Sequence, residues 1–354
     1  MTTPRTGALL IHGLGGTEFD MGSLHKVLAR AGVQTHGVTL PGHAGRPEDL
    51  LDVRVEDWMD VVTRRYRELC EQYEVVHVIG MCLGALLAVE LCKRESHTRG
   101  ALVSLSAPVF LDGWSTPWYR GLRYLLYHVP GVPRRIRVEE EDPYGVKSEL
   151  VRAFIKAGFA RGDGFHYQWV PLACVRQVDR LRGMVKRGLE RMRCPTLVMH
   201  AVEDELTSPR SARLLGARIP GASVVLLQDS YHMICVDHER ERVMQNVLSF
   251  LGKDPGIVRV RRRDNAPRLA RGAGGAGGRR GHAGRRPLGR QANQAAAGWS
   301  GWLGCDGPCG SFSASGRGGT AGRPSASRSR WQSGLGEPSG IQMSNSRQGV
   351  GRFS

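Results

Sequence analysis

Val78-Ile79-Gly80-Met81-Cys82-Leu83-Gly84-Ala85-Leu86 is the stretch on which the reading of this chain turns. An apolar run enters it, a helical pattern leaves it, and one nucleophilic side chain stands between glycines two residues to either side. A chain that bends sharply from strand into helix brings its own backbone across the bend. Side chains at those two flanking positions would collide there, and glycine removes them. Cys82 is then held at the tip of the strand with the next helix N-terminus behind it, and that positive dipole end favours a thiolate over a thiol. A buried structural cysteine between incidental glycines fits the same nine residues, because free cysteine is often buried. The neighbouring segments have to decide between the two.

Outward from this stretch, residues 1–252 alternate short apolar runs with amphipathic ones, which predicts a mostly parallel sheet flanked by helices. Six strands are expected near residues 8–12, 34–39, 75–79, 101–106, 196–200 and 223–227. Their apolar residues are consecutive, as in strands covered on both faces. Helical spacing at 56–73 places Val61, Tyr66, Leu69 and Tyr73 on one side, and at 239–251 it aligns Val243, Val247, Phe250 and Leu251 before a stop at Gly252. Residues 109–193 break the alternation. They hold Trp114, Trp118, Tyr119, the run 124–128, Phe165, Tyr167 and Trp169. An aromatic insertion between two sheet strands predicts a helical lid over a pocket, with Trp114 and Trp118 as substrate contacts. An amphipathic insertion packed on the body is the plainer alternative.

Charge separates the chain into two parts. The 354 residues carry a net +17, but residues 253–354 contribute 18 basic and 4 acidic side chains, leaving 32 basic and 29 acidic before them. A near-neutral first part does not support nucleic-acid binding by the folded region. The tail holds 23 of the 47 glycines and no hydrophobic periodicity, so a disordered Gly/Arg/Ser-rich extension is expected at 253–354. It reads either as an electrostatic arm for RNA, DNA or anionic membrane, or as an unselected extension from a shifted frame. The absence of patterned motifs favours the second. No run approaches the ~20 apolar residues of a membrane span, and no signal-peptide apolar region is present. Of eight cysteines only Cys305 and Cys309 are close in sequence, without the second pair a zinc site needs. Free thiols in a reducing cytoplasm are the simplest expectation, with no metal or cofactor.

Three further segments bear on chemistry. His12-Gly13-Leu14-Gly15-Gly16-Thr17 follows the first strand, and such a turn presents backbone N–H groups to a developing oxyanion. The expected donors are the amides of Leu14 and Leu83, with His12 bracing the loop. Asp204 stands in the loop after the penultimate strand and His232 in the loop after the last one. His232 is the expected base toward Cys82 and Asp204 the group that fixes its tautomer. Glu203 is the reserve acid, and His238 a poor substitute for His232.

Residues 7–252 resemble compact α/β-hydrolases of the carboxylesterase and monoacylglycerol-lipase type. The resemblance rests on Ile11-His12-Gly13, Leu40-Pro41-Gly42-His43-Ala44-Gly45, Asp57-Trp58, the Cys82 turn, the Asp204 loop, and His232 with Asp237 five residues on. Nucleophile, acid and histidine also come in that family's order. The resemblance implies an α/β-hydrolase fold and acyl-ester chemistry. Those esterases carry serine where this chain has Cys82, and commonly glycine where it has Tyr231. Cysteine at this turn resembles dienelactone hydrolases and polyhydroxyalkanoate synthases in that motif alone. A thiolate forms a thioester acyl-enzyme, which suits hydrolysis of an ester or thioester, free or carrier-bound, and equally transfer to a non-water acceptor. Tyr231 either narrows the acyl pocket or donates a hydrogen bond to substrate. The expected function is therefore an acyl hydrolase with a Cys82–His232–Asp204 triad. An acyltransferase or condensing enzyme is the first alternative, and a non-catalytic binding protein on the same fold the second.

Overall fold

A computed structural model describes residues 5–162 and 166–258. The tail from residue 259 onward, and Phe165 in the insertion, lie outside the described residues.

Six parallel strands form the main sheet: β1 (Thr6–Ile11), β2 (Gln34–Val38), β3 (Val75–Met81), β4 (Leu102–Leu105), β7 (Thr196–Ala201) and β8 (Ser223–Leu227). Their order across the sheet is β2-β1-β3-β4-β7-β8. All six coincide with the apolar runs. The four inner strands are buried almost without interruption, whereas β2 and β8 at the edges are half exposed and carry the more mixed sequences. Pairing sets Ile11 opposite Gly80 and Met81 opposite Leu105, so the ends of β1, β3 and β4 stand side by side.

Helices α1 (Leu24–Arg30), α2 (Val55–Gln72), α3 (Leu83–Arg94), α8 (Arg210–Arg218) and α9 (Arg240–Phe250) cover the two faces. The buried stripe of α2 is Val55, Trp58, Met59, Val62, Tyr66 and Leu69. Val62 takes the core position expected for Val61, because it lies four residues from both Trp58 and Tyr66 and so shares their face of the helix. α9 buries Val243, Met244, Val247 and Leu248. Its end is fixed by Gly252 at φ +66, with Gly252 N donating to Ser249 O and Lys253 N to Leu248 O. The described fold does not stop there. A short 3-10 turn at Pro255–Ile257 follows, and Val258 is buried against the α9 side of the core.

Between β4 and β7 the insertion contains a 3-10 helix (Trp118–Leu122), helices α4 (Arg123–Leu126), α5 (Val132–Arg135), α6 (Glu149–Arg161) and α7 (Leu172–Val185), and an antiparallel pair, β5 (Arg137–Glu139) with β6 (Trp169–Pro171). α7 belongs to the core, burying Leu172, Cys174, Val178, Leu181 and Val185. Asp179 on α7 receives the Arg123 guanidinium, the Tyr127 hydroxyl at 2.7 Å and Arg182, tying α4 down. Removing Asp179 would strand two buried guanidiniums, a change that typically costs ~3–5 kcal/mol. Among the described residues no helix is long and apolar enough to cross a membrane.

Two buried histidines make the fold acid-sensitive. His77 Nδ1 accepts from Ala101 N at 3.1 Å, and His97 pairs its Nδ1 with the Tyr66 hydroxyl at 2.8 Å. Burial, aided by nearby Lys253 for His77 and by His77 and Arg99 for His97, pulls both pKa values down to about 4. In the unfolded chain each takes a proton near pH 6.5, so the unfolded state binds more protons from there down to pH 4. Stability is expected to fall across that window by roughly 3 kcal/mol per histidine. Urea unfolding of the wild type and of His97→Gln at pH 7 and pH 4.5 measures it, and a stability difference between the two proteins that stays the same at both pH values would exclude the effect.

Candidate active site

Cys82 adopts φ +53 and ψ −120, a conformation that side chains other than glycine rarely take. The turn is held from all sides. Cys82 N donates to Leu105 O at 3.0 Å, and Ala85 N and Leu86 N donate to Cys82 O as α3 begins. A Cβ at Gly80 would stand 2.1 Å from Gly84 O, and one at Gly84 would stand 2.0 Å from Ile11 O and 2.6 Å from His12 O. Both glycines are therefore forced by backbone crossing backbone. The turn packs onto the end of β1, which brings the His12–Thr17 loop against the cysteine. A Cβ at Gly13 would be 3.2 Å from Cys82 Cβ.

Asp204 and His232 meet beyond the ends of β7 and β8. His232 Nδ1–H donates to Asp204 Oδ2 at 2.8 Å, while Asp204 Oδ1 accepts from Leu206 N and Thr207 N at 2.9 Å each. Burial alone would raise the Asp204 pKa, but the His232 charge and these donors hold it below the usual carboxylate range. Burial likewise opposes charging of His232, yet the Asp204 carboxylate and the Cys82 sulfur raise its pKa well above normal. His232 Nε2 is buried without a hydrogen bond of good geometry among the described residues. Cys82 and His232 nonetheless line one cavity, and the sulfur is near enough to act on the imidazole charge. Nε2 therefore has no competing partner among the described residues on the side where Cys82 lies.

The loop carrying His232 is fixed by Asp237, whose fully buried carboxylate accepts from Tyr231 N, Lys147 N and Ser148 N at 2.8 Å each. His200 on β7 donates from Nε2 to Thr207 O at 2.9 Å and lies 3.7 Å from Asp204 Oδ2, remaining neutral because burial lowers its pKa. Glu205 is also buried, its Oε2 accepting from His232 N at 3.2 Å. Burial first, and the neighbouring Asp204 charge second, push its pKa up to about 8. At neutral pH it is a protonated acid on the cavity wall.

That shift predicts a stability effect of definite sign. Below pH 4.5 Glu205 is protonated in both states; from there to pH 8 only the folded state keeps the proton. Stability therefore declines as pH rises through that range, by on the order of a few kcal/mol. Glu205→Gln is expected to melt above the wild type at pH 9 and close to it at pH 4.5. A melting difference that does not widen with pH would rule this out.

The His12–Thr17 loop is braced as expected. His12 accepts from Leu40 N at Nε2 (3.3 Å) and donates from Nδ1 to Gly13 O (2.8 Å), and burial lowers its pKa. Neither the Leu14 nor the Leu83 amide is used in a turn, loop or cap hydrogen bond among the described residues. His43 packs edge-on to His12 and Trp58 and stacks on Tyr167, whose hydroxyl donates to Gly42 O and accepts from Gly45 N. The 40–45 motif thus ties the insertion to the sheet.

Gly13, Leu14, Cys82, Leu83, Glu205 and His232 line a cavity of about 230 Å3, mostly apolar, roofed by residues 115–117 and 138–143 of the insertion. Trp114, Trp118 and Tyr231, expected to contact substrate, are not part of its wall. Trp118 is 90 % exposed. Trp114 donates to Glu203 O and packs edge-on to Tyr231, which lies under the Lys147 ammonium. Pro117 and Thr116, between the two tryptophans, line the cavity instead, so the chain turns the rings outward. Glu203 is exposed and pairs with Lys147 at 2.6 Å, and His238 with Asp229 at 3.2 Å; neither reaches the triad. Among the described residues no three His, Cys, Asp or Glu side chains are grouped to hold a metal ion. Sequence reasoning missed Asp20, His166, His200 and Glu205. Only Glu205 had a signal, its adjacency to the acid.

Residues 8–245 match the Alpha/beta hydrolase family. The chain is 26 % identical over 252 residues to the thermostable monoacylglycerol lipase of Bacillus sp. (strain H-257), covering 71 % of this chain and 92 % of that one. It is 24 % identical over 248 residues to the carboxylesterase of Bacillus subtilis (strain 168), covering 69 % and 92 %. The solved monoacylglycerol lipase of Paleococcus ferrophilus superposes with a TM-score of 0.58 at 20 % identity, covering 71 % of this chain and 95 % of that one, a likeness of fold. The chain belongs to the alpha/beta hydrolase family.

Proposed function

We propose that the protein is an ester hydrolase that works through an acyl-cysteine on Cys82. The observation that carries this is the Asp204–His232 hydrogen bond, which leaves Nε2 without another partner in the cavity that it shares with a cysteine on a strained strand-to-helix turn. His232, whose pKa Asp204 and Cys82 raise, holds the proton taken from Cys82 as an imidazolium; the sulfur attacks the ester carbonyl, and the carbonyl oxygen gathers negative charge between the Leu14 and Leu83 amides. The imidazolium then gives its proton to the leaving alkoxide as the C–O bond breaks, leaving a thioester. Water, deprotonated by His232, attacks that thioester. The acid is released and the thiol restored.

Relatives named monoacylglycerol lipase and carboxylesterase support a carboxylic ester as substrate, and the apolar cavity favours an aliphatic acyl group. Free and carrier-bound thioesters undergo the same steps, with a thiol as leaving group. A working thiol of this kind is retained in a reducing compartment such as the cytoplasm.

Intact-mass analysis after mixing with 4-nitrophenyl butyrate and with butyryl-CoA tests the reading. One acyl group on the Cys82 peptide, discharged by water to free butyrate, is the expected result. Discharge only when an alcohol, amine or thiol is added would show acyl transfer instead. No adduct on Cys82 with either reagent would exclude the cysteine as nucleophile.

A further inference from the structure

The oxyanion loop carries a charge that the steps above leave without a role. Asp20 is 1 % exposed and lines the same cavity as Gly13, Leu14 and Cys82. Its Oδ2 accepts from Gly13 N at 2.8 Å, while its Oδ1 has no hydrogen-bond partner among the described residues. The loop is shaped around this carboxylate: a Cβ at Gly16 would stand 2.0 Å from Oδ2, and one at Gly13 would stand 2.8 Å from it. A Cβ at Gly13 would also stand 3.2 Å from Cys82 Cβ. A buried carboxylate on the wall of the cavity that Cys82, Leu14 and Leu83 also line opposes the negative charge that the Leu14 and Leu83 amides are there to receive.

One group answers that charge. His166 lines the cavity, with Nδ1 3.8 Å from Asp20 Oδ1, an ion-pair separation too long for a direct hydrogen bond. Burial opposes a charged imidazole here, yet the pairing with Asp20 and the nearby Glu140 raise the His166 pKa. The other two imidazoles near Asp20 cannot substitute, because burial lowers the pKa of both His12 and His43, the latter to about 4.

We propose that His166 is a positioning residue for the oxyanion hole: it cancels the buried Asp20 charge, so that Asp20 can shape the loop without repelling the developing oxyanion. The inference rests on the reading of Cys82 as nucleophile with the oxyanion at the Leu14 and Leu83 amides. It separates two properties of Asp20. The loop needs its hydrogen-bonding shape; the reaction needs its charge neutralised.

The test is steady-state turnover of 4-nitrophenyl butyrate by the full chain carrying His166→Gln, Asp20→Asn, or both. His166→Gln is expected to lower kcat ~10- to 100-fold with KM within about 2-fold, since the unopposed carboxylate acts on the transition state. Asp20→Asn keeps the acceptor for Gly13 N and is expected to lower kcat less than His166→Gln does. The double variant should recover to the level of Asp20→Asn. An unchanged kcat in His166→Gln, or a double variant as slow as the product of the singles, overturns the proposal. Should His166→Gln fail to fold, Asp20→Asn alone decides, and a fall in kcat beyond ~30-fold would count against it. If the wild type turns over no 4-nitrophenyl butyrate, the ester-hydrolase reading fails. The pairing is then tested by NMR titration of His166 without substrate, where its pKa must drop by about one unit in Asp20→Asn. An unchanged titration refutes it.

Discussion

Cys82→Ala is expected to reduce ester turnover by ~10⁴-fold or more, to the level that the oxyanion amides and binding alone provide. The size follows from the geometry. Among the described residues Cys82 is the only thiol on the wall of the cavity that His232 also lines, and an alanine there offers no atom to attack the carbonyl. Cys82→Ser keeps an attacking oxygen on the same strained turn and is expected to retain measurable activity, limited by how well His232 deprotonates a hydroxyl. Active-site titration beside the steady-state rates distinguishes lost chemistry from lost protein. Full turnover in Cys82→Ala would remove the cysteine from the mechanism altogether.

Gly84→Ala is expected to have the largest effect on the fold. The added methyl would lie 2.0 Å from Ile11 O, at the end of a central strand paired on either side, and 2.6 Å from His12 O, in the residue that follows it. Neither can withdraw as a flexible side chain would. The turn or the β1–β3 pairing must open, at a cost above ~4 kcal/mol. A melting temperature lower by ~10 °C or more, or insoluble protein, is expected. Gly121→Ala, which meets nothing within 4 Å, is the matched control. Equal melting temperatures for the two variants would show that the turn accommodates a side chain after all.

Much of this was legible in the residues because it depends on local rules. The four inner strands were readable because β1, β3, β4 and β7 are buried on both faces, and burial on both faces writes itself as consecutive apolar residues. Asp204 and His232 were readable because each follows a strand at the same end of that sheet, where the chain order leaves them few other places. The insertion was not legible in the same way. Aromatic content indicates large rings but not the direction they face, and Trp118 faces solvent while Tyr167 faces inward. Asp20 and His166 lie 146 positions apart in sequence and meet only because the insertion folds back over the His12 loop, a relation that no periodicity or spacing encodes. Glu205 was passed over for a different reason: a glutamate next to an aspartate reads as surface charge until burial is known.

The base of the insertion is bonded to the loop that carries the acid. Gly113 N and Thr116 Oγ1 donate to Leu206 O, Ser115 N and Oγ donate to Glu205 O, and Ser208 N donates to Asp112. Anyone exchanging this roof for that of another hydrolase, to admit a different acyl group, would be exchanging half of a joint whose other half orients Asp204. A graft that leaves residues 203–208 behind should fit its new substrate and still turn it over poorly, so the two segments are best transplanted together.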